Sequence, residues 1–420
     1  AVDLKSVFEQ AVSNDPQLAA ELASANANAQ TQGLAGQAIL PTVTLNAEVS
    51  ELDVQGTNVN PTTGQDGDGK TEKTAYDISL SQPLLSPATW YSYAAASAVT
   101  ESAEIELRKA EQSLVVRAAE AYFDVLRANS ALASAKANEA AVKRQLEQTQ
   151  QRFKVGLIAI TDVHEAQSRF DSATVDLIEA ESSLDIAYES LALLTGERYD
   201  RINPLKEGIP LLGPVPADRN HWEQKALAQN LDVLIAQKSG ASADHNHKSK
   251  MAEHLPTVNL VGRYAITDDE SSTGGAEVTS TYVGVQLSMP LYAGGATWAG
   301  QKQAYYQRQA AEKGLEAAER GASLTVRTLY RTLQADIARI KARKQAKTSA
   351  QSAMEATQTG YEVGTRNIVE VLDAQRAVFG AQQNYAFSRY DYVIDMLKFR
   401  QAVGELSMAD IEEVNGWLQN

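Results

Sequence analysis

The sequence predicts a mainly α-helical chain that also carries β-strands of membrane-crossing length, built as two tandem structural repeats. Three observations predict it: a block of residues recurs about half a chain later, four stretches alternate between apolar and polar residues, and two helical patterns are very long.

The recurrence is read first because it organises the rest. Arg152-Phe153-Lys154-Val155-Gly156-Leu157-Ile158-Ala159-Ile160-Thr161-Asp162-Val163 returns as Gly360-Tyr361-Glu362-Val363-Gly364-Thr365-Arg366-Asn367-Ile368-Val369-Glu370-Val371, a shift of 208. The same shift carries Ala166-Gln167 onto Ala374-Gln375, Gly196 onto Gly404 and Trp90 onto Trp298. Leu40-Pro41-Thr42-Val43 returns as Leu255-Pro256-Thr257-Val258 at a shift of 215, so the halves differ by about seven residues, placed in the strand loops. Residues 1–208 form the first repeat and 209–420 the second. They meet near 203–220, where Pro204, Pro210, Pro214 and Pro216 break regular structure.

Each half opens with a helical stretch, the first interrupted near Pro16, and then turns to strands. The first hairpin is expected at about 42–83 and the second at about 257–290. In the first, Val43, Leu45, Ala47 and Val49 alternate with Thr44, Asn46, Glu48 and Ser50, then Ile78 and Leu80 with Asp77, Ser79 and Ser81. In the second, Val258, Leu260, Gly262, Tyr264 and Ile266 alternate with polar partners, followed by Val283, Val285, Leu287 and Met289. Period two with one apolar face is a strand signature. The loops are expected at about 55–73 and around Gly274-Gly275. Strands of about 10–13 residues reach across a bilayer at a tilt, and no apolar run is long enough for a transmembrane helix. A soluble four-stranded sheet packed on helices fits the alternation equally well. In a membrane, four strands close no barrel and open edges are not tolerated, so three chains would pool twelve.

The long helices are expected at about 88–153 and about 296–360; about 65 residues would span roughly 100 Å. Their partners, at about 160–196 and about 368–404, carry heptads. Val163, Phe170, Leu177, Leu184 and Leu191 alternate with Ala166, Ala173, Ala180, Ala187 and Leu194. In the second half Val371, Val378, Tyr385, Tyr392 and Phe399 alternate with Ala374, Ala381, Ser388, Asp395 and Ala402. Alanine seams suit close helix packing in a wall.

Composition excludes other classes. The net charge of −15 argues against nucleic-acid binding, which needs a basic patch. The absence of cysteine excludes disulfides, thiolate metal sites and a cysteine nucleophile. His245 and His247 are two apart, and His164 lacks partners at metal spacing, so no metal site and no cofactor are expected. No catalytic constellation converges, so the chain is not read as an enzyme. The start Ala1-Val2-Asp3-Leu4 reads like an end left by leader cleavage, though a chain shortened by other means reads the same. Trp90 and Trp298, at matched strand-to-helix junctions, suit a membrane-interface belt or core packing.

On the paired Val-Gly-x-x-x-Ile-x-[Asp/Glu]-Val motifs at Val155–Val163 and Val363–Val371, the Leu-Pro-Thr-Val strand starts, the strand ends Gln82-Pro83-Leu84 and Met289-Pro290-Leu291, and Tyr122-Phe123-Asp124-Val125-Leu126, the chain resembles the TolC family of outer-membrane channels. The resemblance covers nearly the whole chain in order. It implies a homotrimer: a 12-stranded outer-membrane β-barrel continuous with a long α-helical coiled-coil periplasmic tunnel that is closed at its far end. It implies a Gram-negative outer membrane with its lipid, a periplasmic adaptor (membrane fusion protein) and an inner-membrane pump of RND, ABC or MFS type, for drug efflux or protein secretion. Without an N-terminal cysteine the chain resembles the unacylated members. A soluble or filamentous coiled-coil scaffold is the alternative reading, but it has no use for strands of bilayer length.

Function is expected at the helix breaks, where Gly156 and Gly364 permit turns. Asp162 and Glu165 follow the first; Glu370 and Asp373 follow the second. Acids three apart share a helix face, and acids at a helix start are also simply favoured by its dipole. The resemblance implies that Glu370 and Asp373 form cation-binding constriction rings, with Glu370 departing from the aspartate of the family. It also implies a latch in which Arg366 and Tyr361 reach Asp162, with Thr161 and Gln151 in the network; a surface charge cluster is the plainer reading.

Overall fold

The computed structural model describes residues 1–54, 69–271 and 274–419. The elements run α1 (Leu4–Asn14), α2 (Pro16–Gln37), β1 (Thr42–Val54), β2 (Gly69–Leu85), α3 (Pro87–Lys154), α4 (Ile160–Thr195), α5 (Arg219–Gln229), α6 (Leu231–Ala252), β3 (Thr257–Ser271), β4 (Gly274–Ser288), α7 (Ala296–Glu362), α8 (Ile368–Val403) and α9 (Met408–Asn415). By compactness the chain divides into two units. One comprises Ala1–Ser24, Ile105–Leu234 and Glu316–Asn420; the other comprises Ala25–Glu104 and Ile235–Leu315. Each unit draws on both halves of the sequence.

Element ends recur at fixed offsets. Adding 215 to the bounds of α1 and α2 gives those of α5 and α6, and adding 208 to those of α4 gives those of α8. The offset changes within the hairpins: β1 and β3 start 215 apart, whereas Pro83 and Pro290 stand 207 apart.

Local chemistry sets the helix ends. Asp3 caps α1 by accepting from the Ser6 amide at 2.9 Å. The helix stops at Asp15, because a residue before proline is driven out of the helical region. Asp15 is buried and accepts from the Leu18 amide and from Arg117 Nη2 at 2.6 Å. Burial pushes its carboxyl up, but the Arg117 and Leu18 hydrogen bonds outweigh that and hold it below its ordinary value. In α3, Pro87 sits at the first position, where its missing N–H costs nothing, and no glycine or further proline follows to Lys154.

In the first unit, Tyr122, Phe123, Leu126, Tyr392 and Leu397 are among the core residues. Helix side chains also pin the segment that joins the halves. Tyr122 Oη donates to the Asn203 carbonyl at 2.7 Å, Arg389 Nη2 to the Lys206 carbonyl at 2.7 Å, and Tyr392 Oη to the Leu212 carbonyl at 2.9 Å. These bonds satisfy carbonyls that no regular structure serves.

In the second unit the strands form one antiparallel sheet in the order β1-β2-β3-β4. The register aligns Leu45, Ile78, Tyr264 and Thr281 in one row and Val43, Leu80, Gly262 and Val283 in another, all on one face. The next rows, Asn46–Asp77–Ala265–Ser280 and Thr44–Ser79–Arg263–Tyr282, lie on the opposite face. The strands have 13, 17, 15 and 15 residues; β1 has the expected length and the other three are longer than expected. Gly69–Lys73, expected in the loop, belong to β2, where Lys73 pairs with Ser50 and Asp269. Gly274 and Gly275 likewise pair with Ser271 and Glu270. Backbone pairing continues there after the apolar alternation has stopped. The rest of the expected first loop, 55–68, lies outside the described residues.

Candidate functional site

Both helix turns close by the same backbone device. At the first, Leu157 N donates to the Arg152 carbonyl at 2.9 Å and Gly156 N to that of Phe153 at 2.9 Å; at the second, Thr365 N donates to Gly360 at 2.8 Å and Gly364 N to Tyr361 at 3.2 Å. This paired pattern needs a left-handed residue after the helix, and glycine supplies it with φ of 78° at Gly156 and 80° at Gly364.

The next helices start differently. Ala159 gives α4 no side-chain cap, whereas Asn367 accepts from the Glu370 amide at 2.9 Å and donates through Nδ2 to Glu370 Oε1 at 2.8 Å. Arg366 Nη1 donates to the other carboxylate oxygen of Glu370. Glu370 is therefore a capping acid within its own chain, and the Arg366 hydrogen bond holds its carboxyl below its ordinary value. Asp373, exposed one turn on, lies 3.4 Å from Arg169 Nη2 of α4.

The expected latch partners are not brought together within one chain. Arg366 is engaged with Glu370 rather than with Asp162. Thr161 and Gln151 are exposed and Asp162 is half-buried on the first turn. Tyr361 is buried, packed with Val142, Ile368, Val371 and Leu372, and its ring carries the Arg152 guanidinium 4.7 Å from the centroid.

Two participants were missed by sequence reasoning: Arg152 and Arg169. Arg152 stood inside the recurring block, opposite Gly360, and that contrast was its signal. Gly360 has a physical reason: a Cβ there would lie 2.7 Å from Arg366 Cγ. Arg169 was signalled by Glu165 four residues earlier, to which its Nε donates at 3.1 Å.

Two further surfaces bear on function. The apolar sheet face is exposed, from Val43 and Val49 to Val283, Val285 and Leu287, with Val49 at 81%. Among the described residues β1 and β4 each pair on one side only. Helix α4 also exposes an apolar stripe of Val175, Ile178, Ile186 and Leu193, the last at 82%, while α8 buries its heptad positions Val371, Val378, Tyr385, Tyr392 and Phe399. Trp90 and Trp298 are exposed, which argues against core packing within the second unit. No described helix is long and apolar enough to cross a membrane.

Inside the first unit, Asp336 of α7 is 1% exposed and meets Asp395 of α8. Arg339 Nη1 donates to Asp336 Oδ1 at 2.9 Å. Burial and the neighbouring Asp395 push Asp336 up to about 6, and burial raises Asp395 too.

A sequence profile of the outer membrane efflux protein family matches residues 7–197 and 222–405. The chain is 38% identical over 423 residues to the outer membrane protein TolC of Vibrio cholerae, covering 100% of this chain and 94% of that protein. It is 29% identical over 427 residues to the alkaline protease secretion protein AprF of Pseudomonas aeruginosa, covering 99% and 87%. In fold it is similar to the crystal structure of the CmeC outer membrane channel of Campylobacter jejuni, with a TM-score of 0.82 at 17% identity over 99% of this chain and 90% of that one.

Proposed function

The chain belongs to the outer membrane efflux protein family, and on that premise we propose that three copies form one exit duct across the outer membrane and periplasm. The duct passively conducts drugs, secreted proteins or both, handed over by a periplasmic adaptor and an inner-membrane pump of RND, ABC or MFS type. It performs no catalytic step and uses no cofactor. The observation that carries this reading is the sheet, with its exposed apolar face and two open edges. Such a sheet is stable in lipid only when further strands close the edges. Three copies of four strands give a twelve-stranded antiparallel barrel with lipid outside and the polar rows lining the lumen. The exposed stripe on α4 supports association between copies, because it offers an apolar surface to a neighbouring copy. The matched offsets of the helix ends support reading the chain as two tandem repeats that alternate around one wall.

The tunnel is gated in this proposal by iris-like movement of the two turns, with Gly156 and Gly364 as the points where each hairpin reverses. Glu370 and Asp373 of three chains form two carboxylate rings that attract cations. Asp162, Thr161 and Gln151 of one chain are the surface that Arg366 of the next would meet in the trimer.

Cell fractionation tests the duct directly. The protein is expected in the outer membrane as a trimer band that converts to monomer only on heating. Deletion of its gene, assayed for drug susceptibility and for secreted protein in parallel, identifies the cargo class. A folded monomer that needs no detergent would sink the reading.

A further inference from the structure

A cavity of about 450 Å³ lies inside the first unit, between the 210–215 segment that joins the halves, α5, α8 and α9. Small-molecule sites run from about 300 to about 1,000 Å³, so its size suits one. The joining segment spans it as a strap. Tyr392 Oη holds the strap by accepting from the Leu212 amide and donating to the Leu212 carbonyl, both at 2.9 Å. Leu212 and Val215 are 65% and 83% exposed, so they rim the cavity and do not fill it. Its walls are aromatic. The Trp222 and Phe399 rings meet edge to face with centroids 5.3 Å apart, and Tyr392 and Trp417 line it too. The Trp222 ring is fixed in place, because its Nε1 donates to the Pro216 carbonyl at 2.8 Å.

The second half departs from the repeat to build these walls. At the offsets that align the helices, Trp222 stands where the first half has Val7, Tyr392 where it has Leu184, Phe399 where it has Leu191 and Arg400 where it has Ala192. Aliphatic side chains serve helix packing at these positions in the first half, so packing alone does not call for rings and a guanidinium. The charges lie at the α9 side. Arg400 donates to Asp410 and, through Nη2, to Glu413 Oε2 at 2.9 Å, so one cation serves two carboxylates. Glu405, also on the lining, is matched by Lys225 of α5. One negative charge is left over, and Arg400 engages Glu413 through a single oxygen. We propose that the cavity binds an organic cation, a flat aromatic ring system carrying a protonated amine, with the ring against Trp222, Tyr392, Phe399 and Trp417 and the ammonium at Glu413. Aromatic faces and a surplus carboxylate both attract positive charge, and burying the ring of the ligand adds the hydrophobic term. The proposal goes beyond the duct reading, because a single chain supplies every residue of the site. A bound cation would join the strap, α8 and α9 and so stabilise the first unit.

Isothermal titration calorimetry on the full-length protein in phosphatidylcholine nanodiscs tests this with three probes that share one ring: naphthylmethylammonium, naphthylmethanol and naphthylacetate. Each variant is first checked for wild-type helicity and oligomeric state. The ammonium is expected to bind once per chain and about tenfold more tightly than the acetate, with the alcohol between them. Glu413→Gln should bring the ammonium down to the affinity of the alcohol and leave the alcohol unchanged. Phe399→Leu, which restores the residue type of the first half, should weaken all three probes about three- to tenfold. Equal affinity for ammonium and acetate, an ammonium preference that survives Glu413→Gln, or no binding by any probe would overturn the proposal. A lysine-bearing apolar peptide that binds where no probe does would also overturn it, by making the cavity a docking site for a protein partner. Binding is read without channel activity, so failure of the duct reading and failure of this proposal are told apart.

Discussion

Asp336 and Asp395 show what one residue pair does to a helical wall. Their counterparts at offset 208 are Ala128 and Ala187, so the second half places two carboxyls where the first has two methyl groups. The charges around them are Arg339 on α7 and Asp391 and Lys398 on α8. Because Asp336 titrates near 6 when folded and near 3.8 when unfolded, the native state binds the extra proton between those values. Its contribution to stability is therefore present below about pH 4 and is lost as pH rises through about 6. Asp336→Asn, which keeps a donor toward Asp395, should exceed the wild type in stability by about 1–2 kcal/mol at pH 8 and match it at pH 4. The difference in melting temperature between the two proteins across that range checks this, since the other carboxylates cancel. Asp395 was legible as the odd member of an alanine seam. Asp336 was not, because nothing in a solvated-looking helical sequence marks which acid turns inward.

At the scale of elements, the sheet divides sharply by face. Leu45→Arg on the apolar face should cost about 2–4 kcal/mol, whereas Thr44→Arg on the opposite face should be close to neutral. The urea midpoint of the folded, unheated band measures both. The face assignments were readable from period two alone, and the register places Leu45, Ile78 and Tyr264 side by side as that period requires. The strand ends were not readable. Around Glu72 and Lys73 both faces are polar, so pairing continues where the alternation has nothing left to report. The helices were legible to within a few residues, because proline, glycine and capping residues act locally. α8 begins at Ile368 where Asn367 caps it, and ends at Gly404, whose φ is 87°.

For the whole molecule, the exposed stripe on α4 and the open sheet edges ask for more than one chain. Ile186→Asp, on that stripe, would bury an uncompensated charge in each proposed contact, at a cost of several kcal/mol per site. It should abolish the heat-modifiable trimer while leaving far-UV helicity intact; a trimer of normal stability would place α4 outside the contact. The same scale explains which parts of the turn site could be foreseen. Glycines and capping acids are written into the local sequence. Partners such as Arg152 with Tyr361 depend on where two hairpins meet, and 209 residues separate them. The difference between Arg152 and Gly360 also has a mechanical meaning. Two hairpins of one design would yield equally to any pull and would have no reason to move in a set order. In the proposed duct, a bulky cation on one and a bare backbone on the other would let the two leaves yield in sequence rather than together.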